Sequence, residues 1–340
     1  MPINTDRYSL NKIYRLVGFK PFSMFMSKKV VDQTLLKSLE NSIDQGPRKS
    51  LEGKEKEKMK VLSLFDGCGM TYQALKNLNV KVTKYYSSEI DKYAIKIAKK
   101  NHPELVQLHD VRNWRNWNIE KPDLIVAGSP CQGFSLASPD KLNFNDPRSA
   151  LFFEFVKIVN HYKPKYFLLE NVKMKKEYQD TISDILGVEP VFINSALVSA
   201  QNRQRLYWCN WSVDQPEDRK IFLKDILETG IVDREKSHCL DANYFKGGNL
   251  KSYFEKNRRQ LVFLDNDHIS YRKLTPIECE RLQTLPDNYT EGVSNTQRYK
   301  MLGNGFTVKV IEHILQKIVD QRPQKSLENP KYKRNSLFCT

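Results

Sequence analysis

The six cysteines, Cys68, Cys131, Cys209, Cys239, Cys279 and Cys339, include no CxxC pair, and no clustered histidines stand near them. Such spacing gives neither a disulfide framework nor a metal cage, so no metal is expected. No uninterrupted apolar run approaches the roughly 20 residues that a membrane span requires, and the amino terminus carries no hydrophobic signal segment. A soluble, cytoplasmic protein without a membrane partner is therefore expected. Acid is in short supply too. Against 55 Lys and Arg stand 40 Asp and Glu, a formal net charge of +15. That excess goes beyond what solubility requires and points to a polyanionic partner, with nucleic acid the first candidate.

What is present reads as one main domain with an appendage, since 340 residues exceed the usual domain of roughly 100–200. Residues 1–58 mix short apolar clusters with many charges and end in GKEKEKMK, an extension and charged linker. From Val61 the texture changes to short apolar strands alternating with helical patterns, the signature of an α/β fold with helices on both faces of a parallel sheet. A basic tail follows Asp320 and is expected to be disordered.

The first strand, KVLSLF at 60–65, runs into DGCGM and a helix, TYQALKNL. A glycine turn between strand and helix lets a ligand approach the backbone and the helix amino terminus, although a sterically tight turn also explains Gly67 and Gly69. The second strand, VTKYYSSE at 82–89, ends on Glu89. An acid about twenty residues past such a turn can grip the two hydroxyls of a ribose, so a nucleoside cofactor is expected. Asp110, at the end of LVQLHD, is placed to accept a hydrogen bond from an adenine amino group.

DLIVAG at 123–128 is the fourth strand, which puts Ser129, Pro130 and Cys131 at its carboxyl end, where open parallel sheets bind their ligands. A free cysteine is more often a small core hydrophobe, and only its position argues otherwise. Residues 132–149 have no clear periodicity, and a loop of that length suits a lid. LFFEFVKIVNHY at 151–162 reads as an amphipathic helix, and KYFLLENV at 165–172 as a fifth strand carrying Glu170 and Asn171 to the same edge. Near the end, TPIE at 275–278 spells a capping box before PIECERLQ, and VKVIEHILQKIV has helical apolar spacing that suits a sheet-covering helix. Cys279, inside the capped helix, is expected in the core.

Taken in order, FDGCG, SPCQGFS, ENV, QNRQR at 201–205, LTPIECERLQTLPDNYT at 274–290 and RYKMLGNGFTVKVI at 298–311 resemble the DNA (cytosine-5) methyltransferase family of bacteria and phages. The likeness covers roughly 60–320 and implies a Rossmann-like S-adenosylmethionine-dependent methyltransferase sheet with a small target recognition domain. It divides the chain into a catalytic domain at 59–211, a recognition region at 212–273, a return to the catalytic domain at 274–320 and a tail at 321–340.

The resemblance also implies roles. Cys131 would add as a thiolate to carbon 6 of cytosine, Glu170 would stabilise the ring through nitrogen 3 and the amine, and Arg203 and Arg205 would reach the base oxygen and a phosphate. S-adenosylmethionine would lie between Phe65, Gly67, Gly69, Glu89, Asp110, Pro130, Leu151 and Asn304. Where many relatives have Ser after that Asn, this chain has Gly305. Double-stranded DNA would be met by Gln132 and Ser135 in the loop, and by Lys246, Gly247, Gly248, Lys251, Arg258 and Arg259 in the recognition region. Because the target carbon is buried in stacked duplex, the base must be flipped into the cleft. A monomer is expected, with a cognate restriction endonuclease as a separate partner. Alternatives are a transfer RNA methyltransferase of the same family, an inactive DNA-binding regulator, and a dehydrogenase that leaves SPCQGFS unexplained.

Overall fold

A computed structural model of the protein describes residues 58–128 and 150–320. Expectations for Pro130, Cys131, Gln132, Ser135, the amino-terminal extension and the tail lie outside the described residues.

In chain order the elements are β1 (Lys58–Leu64), α1 (Met70–Asn77), β2 (Lys81–Ser88), α2 (Lys92–Asn101), the short β3 (Val106–Gln107), β4 (Leu124–Gly128), α3 (Ala150–Tyr162) and β5 (Tyr166–Val172). There follow α4 (Lys176–Leu186), β6 (Pro190–Asn194), β7 (Gln204–Cys209), α5 (Leu250–Lys256), a hairpin of β8 (Leu261–Phe263) and β9 (Tyr271–Lys273), α6 (Pro276–Leu282), α7 (Asn295–Asn304) and α8 (Val308–Val319). Seven strands make one sheet in the order β3-β2-β1-β4-β5-β7-β6. β1 to β5 pair in parallel, whereas β7 runs antiparallel to both β5 and β6. The order reverses between β1 and β4, and such a switch point opens a crevice at the carboxyl ends of the strands.

Strand periodicity explains the two layers. Val61, Val126 and Leu168 face one side with α1 and α8, while Leu62, Ile125 and Leu169 face the other with α3 and α4. Both faces are covered, so the central strands read as continuous apolar runs. Each fully buried aliphatic or aromatic side chain contributes about 1.5–3 kcal/mol. The helix ends follow local chemistry. Asp91 caps α2 by accepting the Tyr93 N–H at 2.9 Å, α4 stops at Gly187 with φ 68°, and α6 has the expected box. There Thr275 Oγ1 accepts the Glu278 N–H at 3.1 Å, and Glu278 accepts the Thr275 N–H at 2.8 Å. Cys279 is buried in the core, as expected.

Candidate active site

The chain leaves β1 through a strained turn. Phe65 has φ 57°, Gly67 φ 60° and Gly69 φ 82°, and Gly69 is the residue from which α1 starts. A Cβ on Gly69 would stand 2.9 Å from the His102 ring, so packing as well as φ demands glycine there. A Cβ on Gly67 would meet nothing within 4 Å, which leaves the face of the turn open. Glu89, at the tip of β2, holds this shape: Oε2 accepts the Gly67 N–H at 2.9 Å, and Oε1 accepts the N–H groups of Ile90 and Asp91, each at 2.8 Å. A carboxylate has about four acceptor sites, so Glu89 keeps capacity for a ligand hydroxyl. Beneath the turn, buried Tyr289 places its hydroxyl 3.0 Å from the Cys68 carbonyl and 3.2 Å from that of Gly69, with His102 Nε2 at 3.0 Å. Burial pushes the His102 imidazole down to about 4, so it is neutral at pH 7.

Asp110 caps a short 3-10 helix, Val111–Asn116, and is ion-paired with Arg112, whose hydrogen bond holds the carboxyl below the usual range. On the opposite rim Lys300 of α7 bridges to Asp91 at 2.8 Å.

Across the switch point, Glu170 of β5 lies opposite Gly128 of β4, three residues before Cys131. Its Oε1 accepts from Arg205 Nε at 2.9 Å, and the two side chains are only 12% and 13% exposed. A Cβ on Gly128 would stand 3.0 Å from the Phe306 ring and 3.8 Å from Glu170 Oε2, so a bare backbone lets the ring close over the strand end. Arg203 is buried and has other work: Nη1 donates to the Leu240 carbonyl at 2.9 Å, and Nη2 to those of Gly303 at 3.1 Å and Gly305 at 2.8 Å. Burial and neighbouring Arg205 lower its pKa. The two arginines therefore divide their roles, Arg205 steadying the carboxylate and Arg203 binding the segment around Asn304 to residue 240.

These groups line one cleft of about 640 Å³. Phe65, Gly67, Glu89, Asp110, Leu151 and Asn304 line it together with Glu170, Arg203 and Arg205, while Gly69 lies in the turn beside it and Lys246, Gly247, Gly248, Lys251, Arg258 and Arg259 are not among its lining residues. The cleft also contains residues that sequence reasoning passed over: Asp66, Met70, Ile90 and Lys300. Ile90 is 70% exposed, an apolar side chain directly after the strand-tip acid, and that adjacency was the available signal. Met70 explains Gly305. A Cβ at 305 would stand 2.5 Å from Met70 Cε, so the thioether fills the room that a serine would need. Because that contact is with the flexible end of a methionine, Gly305→Ser is expected to displace Met70 and weaken S-adenosylmethionine binding by no more than about threefold, and Met70→Ala in the same chain to remove that loss, as isothermal titration would show.

The C-5 cytosine-specific DNA methylase family matches residues 59–217 and 223–320. The chain belongs to that family. It is 31% identical over 326 residues to the type II methyltransferase M1.ScrFI of Lactococcus lactis subsp. cremoris, covering 79% of this chain and 80% of that protein. With the type II methyltransferase M.HpaII of Haemophilus parainfluenzae it shares 28% identity, covering 78% and 90% respectively. The crystal structure of S. pombe Dnmt2 methyltransferase superposes with a TM-score of 0.55 at 18% identity, covering 77% of this chain and 98% of that one, a likeness of fold.

The methylase is thus a DNA cytosine-5 methyltransferase, moving a methyl group from S-adenosylmethionine to carbon 5 of cytosine in DNA. Its cleft fits that donor. An open glycine turn, an aromatic ring at Phe65, a strand-tip carboxylate at Glu89 and a buried carboxyl at Asp66 whose Oδ2 lacks a partner among the described residues suit a nucleoside bearing a cation. Among the described residues no group of three His, Cys, Asp or Glu side chains could hold a metal, and no helix is long and apolar enough to cross a membrane.

Within residues 212–273 the Gly247 backbone takes φ 70° and ψ −179°, a glycine conformation, and a Cβ there would meet open space. Gly248 lies so close to Arg259 that a Cβ would stand 3.1 Å from its carbonyl oxygen. Arg259 donates from Nη1 to the Gly247 carbonyl at 2.8 Å, so its guanidinium braces the loop, whereas Arg258 is 58% exposed and pairs with Asp241 at 3.3 Å. Lys246 lies over the Phe245 ring at 5.9 Å, and Lys251 is exposed on α5.

Proposed function

We propose that the methylase works through a covalent adduct of Cys131, with Glu170 as the carboxyl partner of the flipped cytosine. What supports this reading above all is the Glu170–Arg205 pair, at 2.9 Å, on the strand beside the one that leads into Cys131. Cytosine carbon 5 is a poor nucleophile. Addition of the Cys131 thiolate to carbon 6 turns the ring into an enamine-like nucleophile whose carbon 5 takes the methyl group as the donor's sulfur–methyl bond breaks to leave a neutral thioether, and loss of the carbon 5 proton to water then expels the thiolate and restores aromaticity. Glu170 stabilises the added ring at nitrogen 3 and the amine, while Arg205 fixes the carboxylate and faces the base oxygen. Bound S-adenosylmethionine supplies the methyl group from a positively charged sulfur. Phe65 and Ile90 sandwich its adenine, Glu89 takes the ribose, Asp110 the adenine amine, and Pro130, Leu151 and Asn304 complete the pocket on the turn of Gly67 and Gly69.

The target is read by 212–273, where Lys246, Lys251 and Arg258 meet phosphates and the Gly247–Gly248 backbone approaches the groove, held there by Arg259. Gln132 and Ser135 belong to the loop that closes on the flipped base. The type II names of the relatives support a restriction-modification setting. The reading adds a monomeric methylase, bacterial or phage-encoded, that acts in the cytoplasm apart from its endonuclease.

Labelled S-adenosylmethionine offered with duplex DNA or with transfer RNA tests the reading. Transfer to DNA alone is expected, with bisulfite sequencing placing every methylated cytosine in one short sequence. Preferential transfer to the RNA would overturn the choice of substrate.

A further inference from the structure

The cofactor cleft of this basic protein is lined by six carboxyl side chains, Asp66, Glu89, Asp91, Asp110, Glu154 and Glu170. Four face a cation: Asp91 has Lys300, Asp110 has Arg112, Glu154 has Lys157 and Glu170 has Arg205. Glu89 accepts from three backbone N–H groups. Asp66 differs. Only 3% exposed, it accepts a hydrogen bond at Oδ1 from the Tyr85 hydroxyl at 2.7 Å, and Oδ2 has no hydrogen-bond partner among the described residues. Its backbone opens the glycine turn, with the Asp66 N–H donating to the Ser88 carbonyl and the Gly69 N–H to the Asp66 carbonyl, and the residue lines the cleft.

We propose that Asp66 is a counter-charge through which the cleft prefers the cationic methyl donor to the neutral-sulfur product. This rests on the reading of the cleft as the S-adenosylmethionine site. Donor and product, S-adenosylhomocysteine, share adenosine, ammonium and carboxylate. They differ at sulfur, which carries a positive charge only in the donor. A hydrogen-bond network recognises their common parts equally, whereas an uncompensated buried carboxylate favours the one with the extra charge, without touching it, through a medium less polar than water.

The same geometry makes the preference depend on pH. Burial raises the Asp66 carboxyl to about 6, and the Glu89 charge adds to the rise. The Tyr85 hydroxyl opposes it, and Ser63 and Ser87 turn toward the carboxyl with the same effect, although neither completes a hydrogen bond to Oδ2. The other titratable groups facing it are Cys68 in the turn, Tyr85 on β2 and Tyr289 from the segment before α7, and burial raises all three far enough to keep them neutral. Asp66 is therefore neutral below about pH 6 and charged above it. A bound cation favours the charged form, so donor affinity gains relative to product affinity as pH rises through that value. His109 lines the cleft as well.

Isothermal titration of S-adenosylmethionine and S-adenosylhomocysteine between about pH 5 and 7.5 provides the test, with no methyl transfer involved. In wild type the donor-to-product affinity ratio is expected to rise about tenfold across that range. Asp66→Asn, which can still accept from Tyr85, is expected to hold the ratio low and flat. Tyr85→Phe removes a donor to the charged carboxylate and is expected to move the rise to higher pH, which serves even if the Asn variant does not fold. A pH-independent ratio in wild type that binds both ligands, or a rise that survives Asp66→Asn, would overturn the inference. If wild type binds neither ligand, the cofactor reading itself fails and this inference with it.

Discussion

Cys131→Ser is expected to lower methyl transfer to duplex DNA by at least about a thousandfold while S-adenosylmethionine still binds with nearly wild-type affinity. The size follows from the chemistry of the nucleophile. A cysteine thiol ionises near pH 8.5 and its sulfur is intrinsically nucleophilic even as a small thiolate fraction, whereas a serine hydroxyl gives essentially no alkoxide without a strong base beside it. The residues described around the strand tips offer carboxylates and arginines, Glu170 with Arg205 foremost, but a serine at 131 would need a base dedicated to it. Glu170→Gln makes the companion measurement. It keeps the shape and one acceptor, loses the charge shared with Arg205, and is expected to reduce turnover by roughly 10²–10⁴ with the fold intact. Radiolabel transfer and cofactor titration on both variants separate the steps. Transfer that survives in Cys131→Ser would return that thiol to the ranks of small buried hydrophobes.

The sequence reading reached this cleft because a parallel sheet puts its chemistry at strand ends, and strand ends are where apolar runs stop. KVLSLF, VTKYYSSE, DLIVAG and KYFLLENV each have both ends within two residues of those of β1, β2, β4 and β5, so Phe65, Glu89 and Glu170 fall at one edge once the order of strands is known. LVQLHD was harder. Only Val106 and Gln107 pair with β2, and Asp110 is a helix cap beyond the strand. Nor does anything in QRLYWC announce direction. That β7 runs antiparallel between β5 and β6 depends on the path of the chain, and it is this reversal that lays Arg205 opposite Val172, within reach of Glu170.

What stayed hidden were contacts made across long separations. Met70 fills the space left by Gly305, Tyr289 reaches back to the carbonyls of the glycine turn, and Lys300 closes on Asp91. Each depends on where α7 and its approach segment pack, and no local pattern records that. Arg203 shows the same limit in another way. Residues two apart on an extended segment share a face, which would pair Arg203 with Arg205, but Arg203 precedes β7 and its guanidinium meets three backbone carbonyls. Spacing gave the direction of the side chain; only packing gave its partners.

Gly303→Ala should test that packing most severely, because helix propensity and tertiary contact pull in opposite directions. In an isolated helix the change stabilises by about 1 kcal/mol. Here Gly303 lies in α7 with its Cα pressed against the next segment, and a Cβ would overlap the backbone of Asp241 and Ala242. Backbone cannot rotate aside as a side chain can, so the helix must lift. Lifting it breaks the clamp in which Arg203 joins the Leu240 carbonyl to those of Gly303 and Gly305, and a buried guanidinium then loses acceptors that water cannot replace without opening the core. The expected net cost is on the order of 3 kcal/mol, with a lower thermal midpoint and weaker S-adenosylmethionine binding, since α7 carries Asn304, Lys300 and Met301 to the cleft. A midpoint that rises as propensity alone requires would show that α7 and residues 241–242 are not held in contact in solution. A midpoint that falls while cofactor binding stays unchanged would show that the clamp supports the fold and leaves Asn304 in place without it.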